Sequence, residues 1–389
     1  MAAASVAALV RRPIASLSHS PADPHRHIDW VLAATVVALS TFGLLAIYTA
    51  KHQDLVVNGH DPYLYVKRQG IAIAVGLVAL IVGAAVDYRR LRDLAPLLYL
   101  GTLVLLVGVL VVGQRVNGTQ AWFAIGPFQL QPSELSKVTM ILFMASVASM
   151  SAGALRLRSL MVCLGILAVP AALTLLQPDL GTTSALCAIS MGILLVAGAR
   201  ARHILVCTVL ALVAVVVLLG TNQLKDYQQA RLTAFVNASS TNENVVSLRY
   251  QIDESKLAIG NGGLTGQGYL EGVQTNGLHV PEQHTDFVFT AVAEQFGFVG
   301  SALLLAAYAL LVLRIWRTAQ LSKDILGTLI CAGAASMLVW QVFQNVGMTM
   351  GIMPVTGIPL PLLSYGGSST IAFLALMGLV ENVHMRRYT

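Results

Sequence analysis

Charge is what this 389-residue sequence has least of. Asp, Glu, Lys and Arg make up 11% of it, where a soluble domain carries roughly 25%. Four stretches, 30–50, 94–113, 180–199 and 204–221, contain none of the four. They are apolar all round rather than on one face, which excludes the amphipathic helices of a large soluble protein. Cysteine is scarce too. Cys163, Cys187, Cys207 and Cys331 all lie inside apolar runs, so they read as small core residues and not as a disulfide framework. No cluster of His, Cys and carboxylates has metal-ligand spacing. GNGGLTGQG at 260–268 lacks the strand–helix context of a phosphate-binding loop. The net charge of +6 comes without a basic face interleaved with aromatics, so nucleic acid is excluded as a partner.

Apolar residues, at 56% of the chain, fill the space that charge leaves. A bilayer core of ~30 Å needs ~20 apolar helical residues. The runs predict an all-α polytopic membrane protein of about ten spans, roughly 29–50, 66–86, 94–113, 134–153, 159–176, 180–199, 203–220, 286–313, 325–347 and 365–383. One set of loops carries fifteen of the 24 basic residues, among them Arg89, Arg90, Arg92, Arg200, Arg202 and Arg387. By the positive-inside rule that set is cytoplasmic, with both termini inside. Residues 1–28 read as a cytoplasmic tail, and 29–389 as one transmembrane domain. Most carboxylates lie on the opposite, outer side, so the polar chemistry faces outward.

Three outer segments are more than connections. Residues 114–134 combine Gly, Pro and aromatics. Residues 221–285, between the seventh and eighth spans, far exceed a helix–helix connection. Within them Val245, Leu248, Ile252 and Ile259 share a helical face, which predicts an amphipathic helix over 244–259 lying on the membrane surface. Residues 347–367 are rich in Pro and Gly yet nearly uncharged. They predict a re-entrant or surface-lying loop packed on protein, and an apolar surface on which a partner could dock.

Individual polar residues admit two readings each. Asp286, where an outer loop meets a span, is either a helix N-cap or a general base held partly desolvated. His284 beside it is a second acid–base group or a surface hydrogen-bonder. Glu134 and Lys137, three apart at a span's outer start, are a functional pair or an ion pair between helices. Trp122 is a site residue or an aromatic-belt anchor. Arg68 snorkels to ordinary lipid phosphates or binds a specific one. Asp179, after Gln177 and Pro178, reads as a helix cap, and Glu294, inside its helix, needs a partner there.

QPSELSK, QPDLGT, IGNGGLTGQGYLEGVQT, LHVPEQHTDFVFTAVAEQFGFVG and MGIMPVTGIPLPLLSYGGSS, in this order, resemble the SEDS family (shape, elongation, division, sporulation). PVTGIPLP and GYLEGVQT look more like its RodA elongation branch than its FtsW division branch. The resemblance implies ten transmembrane helices and a peptidoglycan glycosyltransferase in the cytoplasmic membrane of a bacterium, polymerising lipid II with a class B penicillin-binding protein as partner. It makes Asp286 the family's essential acidic residue and places Trp122, Glu134 and Lys137 on an outward cavity, with Arg68 at the outer start of the second helix. Many members have Arg before the loop Trp. Here Ala121 precedes Trp122, so another cation such as Arg115 would have to serve the pyrophosphate. A divalent cation, Mg²⁺ or Mn²⁺, is an alternative there. The competing functions are a flippase for the same lipid, which needs a polar path across the membrane, and a non-enzymatic scaffold.

Overall fold

The computed structural model describes residues 27–116, 119–126, 128–151, 155–206, 208–209, 226–236 and 242–388. Residues 1–26 of the expected tail, Cys207 and most of the span expected at 203–220 lie outside these. The other nine expected spans all correspond to helices. These are α1 (Trp30–Val57), α2 (Leu64–Ala85), α3 (Tyr88–Val112), α4 (Pro132–Ser149), α5 (Leu157–Leu176) and α6 (Leu180–Val196). Between α6 and the last three come α7 (Asp226–Val236), α8 (Glu243–Asn261) and the short α9 (Val273–Asn276). The bundle is completed by α10 (Val288–Leu321), α11 (Ile325–Thr349) and α12 (Gly367–Met385). Seven described helices are long and apolar enough to cross a membrane. One difference from the all-helical expectation is a three-stranded antiparallel sheet in 114–130, formed by β1 (Gln114–Val116), β2 (Thr119–Ile125) and β3 (Phe128–Leu130). Short antiparallel strands satisfy this segment's backbone locally, which an isolated loop of that length could not do.

Helix starts are set by side chains that accept the otherwise unpaired N–H groups of a first turn. Asp29 accepts from Leu32, Asp87 from Arg89, Asp179 from Thr182 and Asp324 from Gly327. The expected capping role of Asp179 is thus present. Burial separates central from peripheral helices: 83% of the apolar window of α12 is enclosed by protein, against 22% for α2. These two nonetheless pack backbone to backbone. A methyl on Gly378 would lie 2.3 Å from the carbonyl oxygen of Leu80, a close approach that only small residues permit.

Two irregular segments shape the end of the bundle that holds the sheet. α10 is broken at Gly297 (φ 64°), and residues 263–268 mend the break. Gln267 and Gly268 donate to the carbonyls of Glu294 and Gln295, while Phe298 and Val299 donate to those of Gly263 and Leu264. Glu294 finds its partners here too. Its buried carboxylate accepts from the backbone N–H groups of Gln274 and Thr275, at 2.6 and 3.0 Å, and from the Thr275 hydroxyl. The start of α9 is therefore tied to α10. The glycine-rich run is a patch for a broken membrane helix, which no spacing rule anticipates.

The second irregular segment runs from α11 to α12 and is re-entrant. Leu362 comes so close to the middle of α1 that a methyl on Gly43 would sit 2.2 Å from its carbonyl oxygen. Non-helical backbone at such depth must be satisfied by protein. Tyr308 donates to Pro361, Asn345 to Ile358, and Gln344 to Pro354. Val355, Ile358, Leu360, Leu362 and Leu363 are all buried. This narrows the expected apolar docking surface on 347–367: the apolar side chains from Val355 to Leu363 are spent inside the bundle, while Met350 and Ile352 stay exposed. Helix α8 also differs in placement. It buries Val245, Leu248, Ile252 and Ala258 against α7, α10 and α11, so its apolar face is covered by protein.

Candidate active site

A cavity of about 1260 Å³ opens at the end of the bundle that holds the sheet. Its walls come from the facing ends of α1 and α2, from the sheet, from the start of α6, from α7 and α8, and from the re-entrant segment. Asp286, His284, Trp122 and Arg68 all line it. Four of the six residues singled out in the sequence are therefore brought together from segments far apart in the chain.

Asp286 does not cap α10. The N-cap position is Phe287, and no side chain caps that end. Its backbone is held instead, with N–H bound to the Glu282 carbonyl and C=O accepting from Asn345. Glu282 has a left-handed φ of 52°, a local strain of the kind that gathers at functional sites. Burial pushes the Asp286 carboxyl up to about 6. Arg231 pulls it down, Glu282 and Asp179 push it up, and a hydrogen bond from Thr285 lowers it. A carboxylate with a pKa near neutrality, open to a cavity and released from capping, is suited to general-base work.

His284 is buried and held between the rings of Tyr65 and Tyr365, with centroids at 4.9 and 5.6 Å. Burial, reinforced by Lys51, drives its pKa down to about 3, against a smaller pull from Asp54. It is neutral at physiological pH, and its Nδ1 has no hydrogen-bond partner among the described residues. The ring borders the cavity and can contact a ligand there. It is not a proton store. Arg68 faces Tyr365, whose pKa is raised by burial and lowered by the Arg68 hydrogen bond and charge.

Glu134 and Lys137 are placed differently. They form a 2.7 Å ion pair, 3% and 1% exposed, on the first turns of α4, and neither is among the residues lining the cavity. The reading of a wall pair open to substrate is thereby corrected to an enclosed pair, and the partner of each lies on the same helix rather than on a neighbour. Arg115 donates to Gln120 within the sheet and is also absent from the lining. The lining cations are Lys51, Arg68 and Arg231. Of these Arg231 escaped the sequence reading. It is the only basic residue in DYQQARLTAFV, and nothing in that stretch marks it apart from an ordinary solvated charge. Among the described residues no group of three or more His, Cys, Asp or Glu side chains could hold a metal ion. Asp179, another lining carboxylate, accepts from the backbone and hydroxyl of Thr182. The donor set does not fit a resident metal.

Comparison with known proteins bears on what such a cavity does. The profile of the cell cycle protein family of FtsW, RodA and SpoVE matches residues 29–389. The chain is 35% identical over 362 residues to the peptidoglycan glycosyltransferase MrdB of Escherichia coli K12, covering 93% of this chain and 94% of that one. It is equally similar, at 35% over 362 residues, to the probable peptidoglycan glycosyltransferase FtsW of Geobacter metallireducens, covering 92% and 95% of the two chains. Among solved structures, a chain of a peptidoglycan synthase complex that coordinates polymerization and crosslinking superposes with a TM-score of 0.77 at 34% identity, over 93% of this chain and 99% of that one. The rod shape determining protein RodA of Thermus thermophilus superposes at 0.69 and 33% identity, over 93% and 98%. Shared sequence along nearly the whole length, on a shared fold, leaves one conclusion about descent: the chain belongs to the FtsW–RodA–SpoVE family of cell cycle proteins.

Proposed function

We infer that this peptidoglycan glycosyltransferase polymerises lipid II at the outer face of the bacterial cytoplasmic membrane, with Asp286 as its general base. The donor sugar is α-linked to a lipid pyrophosphate and the product is a β-1,4 glycan, so one displacement with inversion suffices. As in inverting glycosidases, a carboxylate takes the proton of the attacking 4-hydroxyl while the leaving group departs on the opposite face. Asp286 accepts that proton. Lys51 and Arg68 neutralise the departing pyrophosphate, and neutral His284 and Trp122 contact the sugars. A divalent ion brought in with the pyrophosphate would add charge there, but no residue step depends on it.

One observation carries the reading: Asp286 faces a polar cavity with a near-neutral pKa and does not serve the helix as a cap. A flippase is less well supported. Beyond the cavity the helices pack an apolar core that includes Met140, Met144, Ile193, Leu329 and Ile330, all buried in one cluster, with no polar path evident among them. The orientation with both termini cytoplasmic and about ten spans rests on the charge asymmetry of the loops. A class B penicillin-binding protein is the expected partner, in keeping with the synthase complex to which the chain is similar. The elongation role rests on the RodA-like motifs. Purified protein given labelled lipid II is expected to yield long glycan strands, more of them with the partner co-purified. A folded, lipid II-binding preparation that makes no glycan in either form overturns the proposal.

A further inference from the structure

Arg231 lies on α7, more than fifty residues from Asp286, and faces it across a single glycine. A methyl group built on Gly357 would lie 3.2 Å from Oδ2 of Asp286 and 3.3 Å from both terminal nitrogens of Arg231. The carboxylate and the guanidinium thus converge on one point beside the re-entrant segment. Gly357 has a φ of 74°, a backbone conformation that L side chains rarely adopt. Chain geometry therefore keeps a side chain out of the space between the two charges. Arg231 also donates to the carbonyl of Thr356 at 2.5 Å, which fixes the segment on the guanidinium side. Asn345 fixes the other side, donating to the carbonyls of both Ile358 and Asp286. One cation and one amide clamp the strand that carries Gly357 beside the carboxylate.

We propose that Arg231 is a positioning residue for the glycosyl transfer: bound to Thr356 and facing Asp286 across Gly357, it locks the re-entrant strand beside the carboxylate and supplies the positive charge that opposes it. The inference rests on the role of Asp286 proposed above. The groups facing Asp286 from the elements around it are Arg231 on α7, Asp179 at the start of α6, and Glu282 and Thr285 on its own loop. Two of the three charged neighbours are acidic and disfavour the ionised base. Arg231 opposes them. An opposite charge within ~4–6 Å typically lowers a carboxyl pKa by about 1–3 units. Without Arg231 the base would hold its proton to higher pH, and the acid limb of the rate profile would move up.

The test compares wild type, Arg231→Met, Arg231→Lys and Gly357→Ala as purified full-length protein. Two readouts are taken from about pH 5 to about pH 9. One is lipid II polymerisation. The other is modification of Asp286 by a carbodiimide, which attacks the protonated carboxyl and is scored by peptide mass spectrometry without reference to activity. Arg231→Met is expected to shift both curves upward by at least about one unit, and Arg231→Lys to restore most of the shift. Gly357→Ala should perturb both curves with every charge retained. It also keeps the proposal falsifiable if Arg231→Met proves unstable. Unshifted labelling and rate curves in Arg231→Met, with activity lost uniformly at all pH, would overturn the positioning role. If wild type makes no glycan, the failure belongs to the proposed function, and the labelling curve still decides the pairing.

Discussion

The two ends of the helix bundle use the same residue types in opposite ways. At the end away from the cavity, charged and amide side chains tie helix ends together. Asp29 Oδ2 accepts from Nε and Nη2 of Arg314, at 2.9 and 2.7 Å, while the Asp29 N–H donates to Glu381. Asn382 and Arg386 donate to the last carbonyls of α2, those of Gly83, Ala84, Ala85 and Val86, which a helix leaves without internal partners. Tyr88 and Arg89 converge on Asp324. At the cavity end, by contrast, Lys51, Arg68, Arg231, Glu282 and Asp286 face a shared open volume. Interhelical hydrogen bonding makes a polar group structural. Polar groups held facing a cavity at a cost in desolvation are available for a ligand.

The sharpest way to break this contrast is Asp286→Asn. Removal of a general base costs ~10²–10⁴ in rate, and folded Asp286→Asn protein should lose that much lipid II polymerisation while still binding lipid II. Its stability should move the other way. The native pKa of about 6 lies above that of an unfolded Asp, so the folded state holds the proton more tightly. Such a group adds stability as pH falls through about 6 and costs stability at neutral pH. Asp286→Asn should therefore melt at or above the wild-type temperature at pH 7. Activity within about threefold of wild type, or a clear fall in melting temperature, would count against the base.

The Glu134–Lys137 pair sharpens the boundary between the two behaviours. It is enclosed and ion-paired, yet it lies at the start of α4, near the cavity end. Breaking a truly buried pair costs ~3–5 kcal/mol because a charge is left without its partner, whereas replacing both partners with apolar residues is often neutral. Glu134→Ala and Lys137→Ala should each lower the unfolding temperature markedly in detergent melts. Glu134→Leu combined with Lys137→Met should recover most of it. A stable double variant with full activity makes the pair purely structural. A stable double variant that makes no glycan gives it a part in the chemistry.

The smallest effect is expected at the opposite end. Arg314→Leu leaves Asp29 buried without its cation, but Arg314 is 18% exposed and solvent can partly compensate. The loss should be ~1–3 kcal/mol in unfolding measurements. Activity per folded molecule should be unchanged. An Arg314→Leu variant with wild-type stability and no activity would show that the two ends do not divide structure from function.

Much of the site was within reach of local reading. Asp286 and Arg68 stand out because each is a charged residue at the edge of an apolar run, where its presence needs a reason, whereas Trp122 and His284 lie in outer loops and gain weight from the motifs around them. Arg231 and Lys51 do not. Arg231 sits among other polar residues and Lys51 closes the run 30–50 as an ordinary interfacial lysine would, and only packing distinguishes a cation facing a cavity from one facing water. Glu134 and Lys137 were recognisable as a pair from their spacing of three. Whether the cavity reaches them depends on how α4 is rotated and enclosed, and helical spacing carries no information about that.

Composition by itself determined the membrane bundle, because a bilayer demands uncharged runs of a set length and those runs can be counted. Nine described helices fall on the expected runs, although α1 continues to Val57 past the expected 50, α3 starts at Tyr88 before the expected 94, and α10 continues to Leu321 past the expected 313. Tertiary structure alone decided the rest. The GNGGLTGQG run fills a break in α10, and PVTGIPLP inserts beside α1, because unpaired backbone at membrane depth must find partners on other helices. No sequence window contains both the broken backbone and the groups that complete it. The same holds for Asp286: the burial that raises its pKa, and the charges of Arg231 and Asp179 that pull it down and push it up, exist only when the chain is folded.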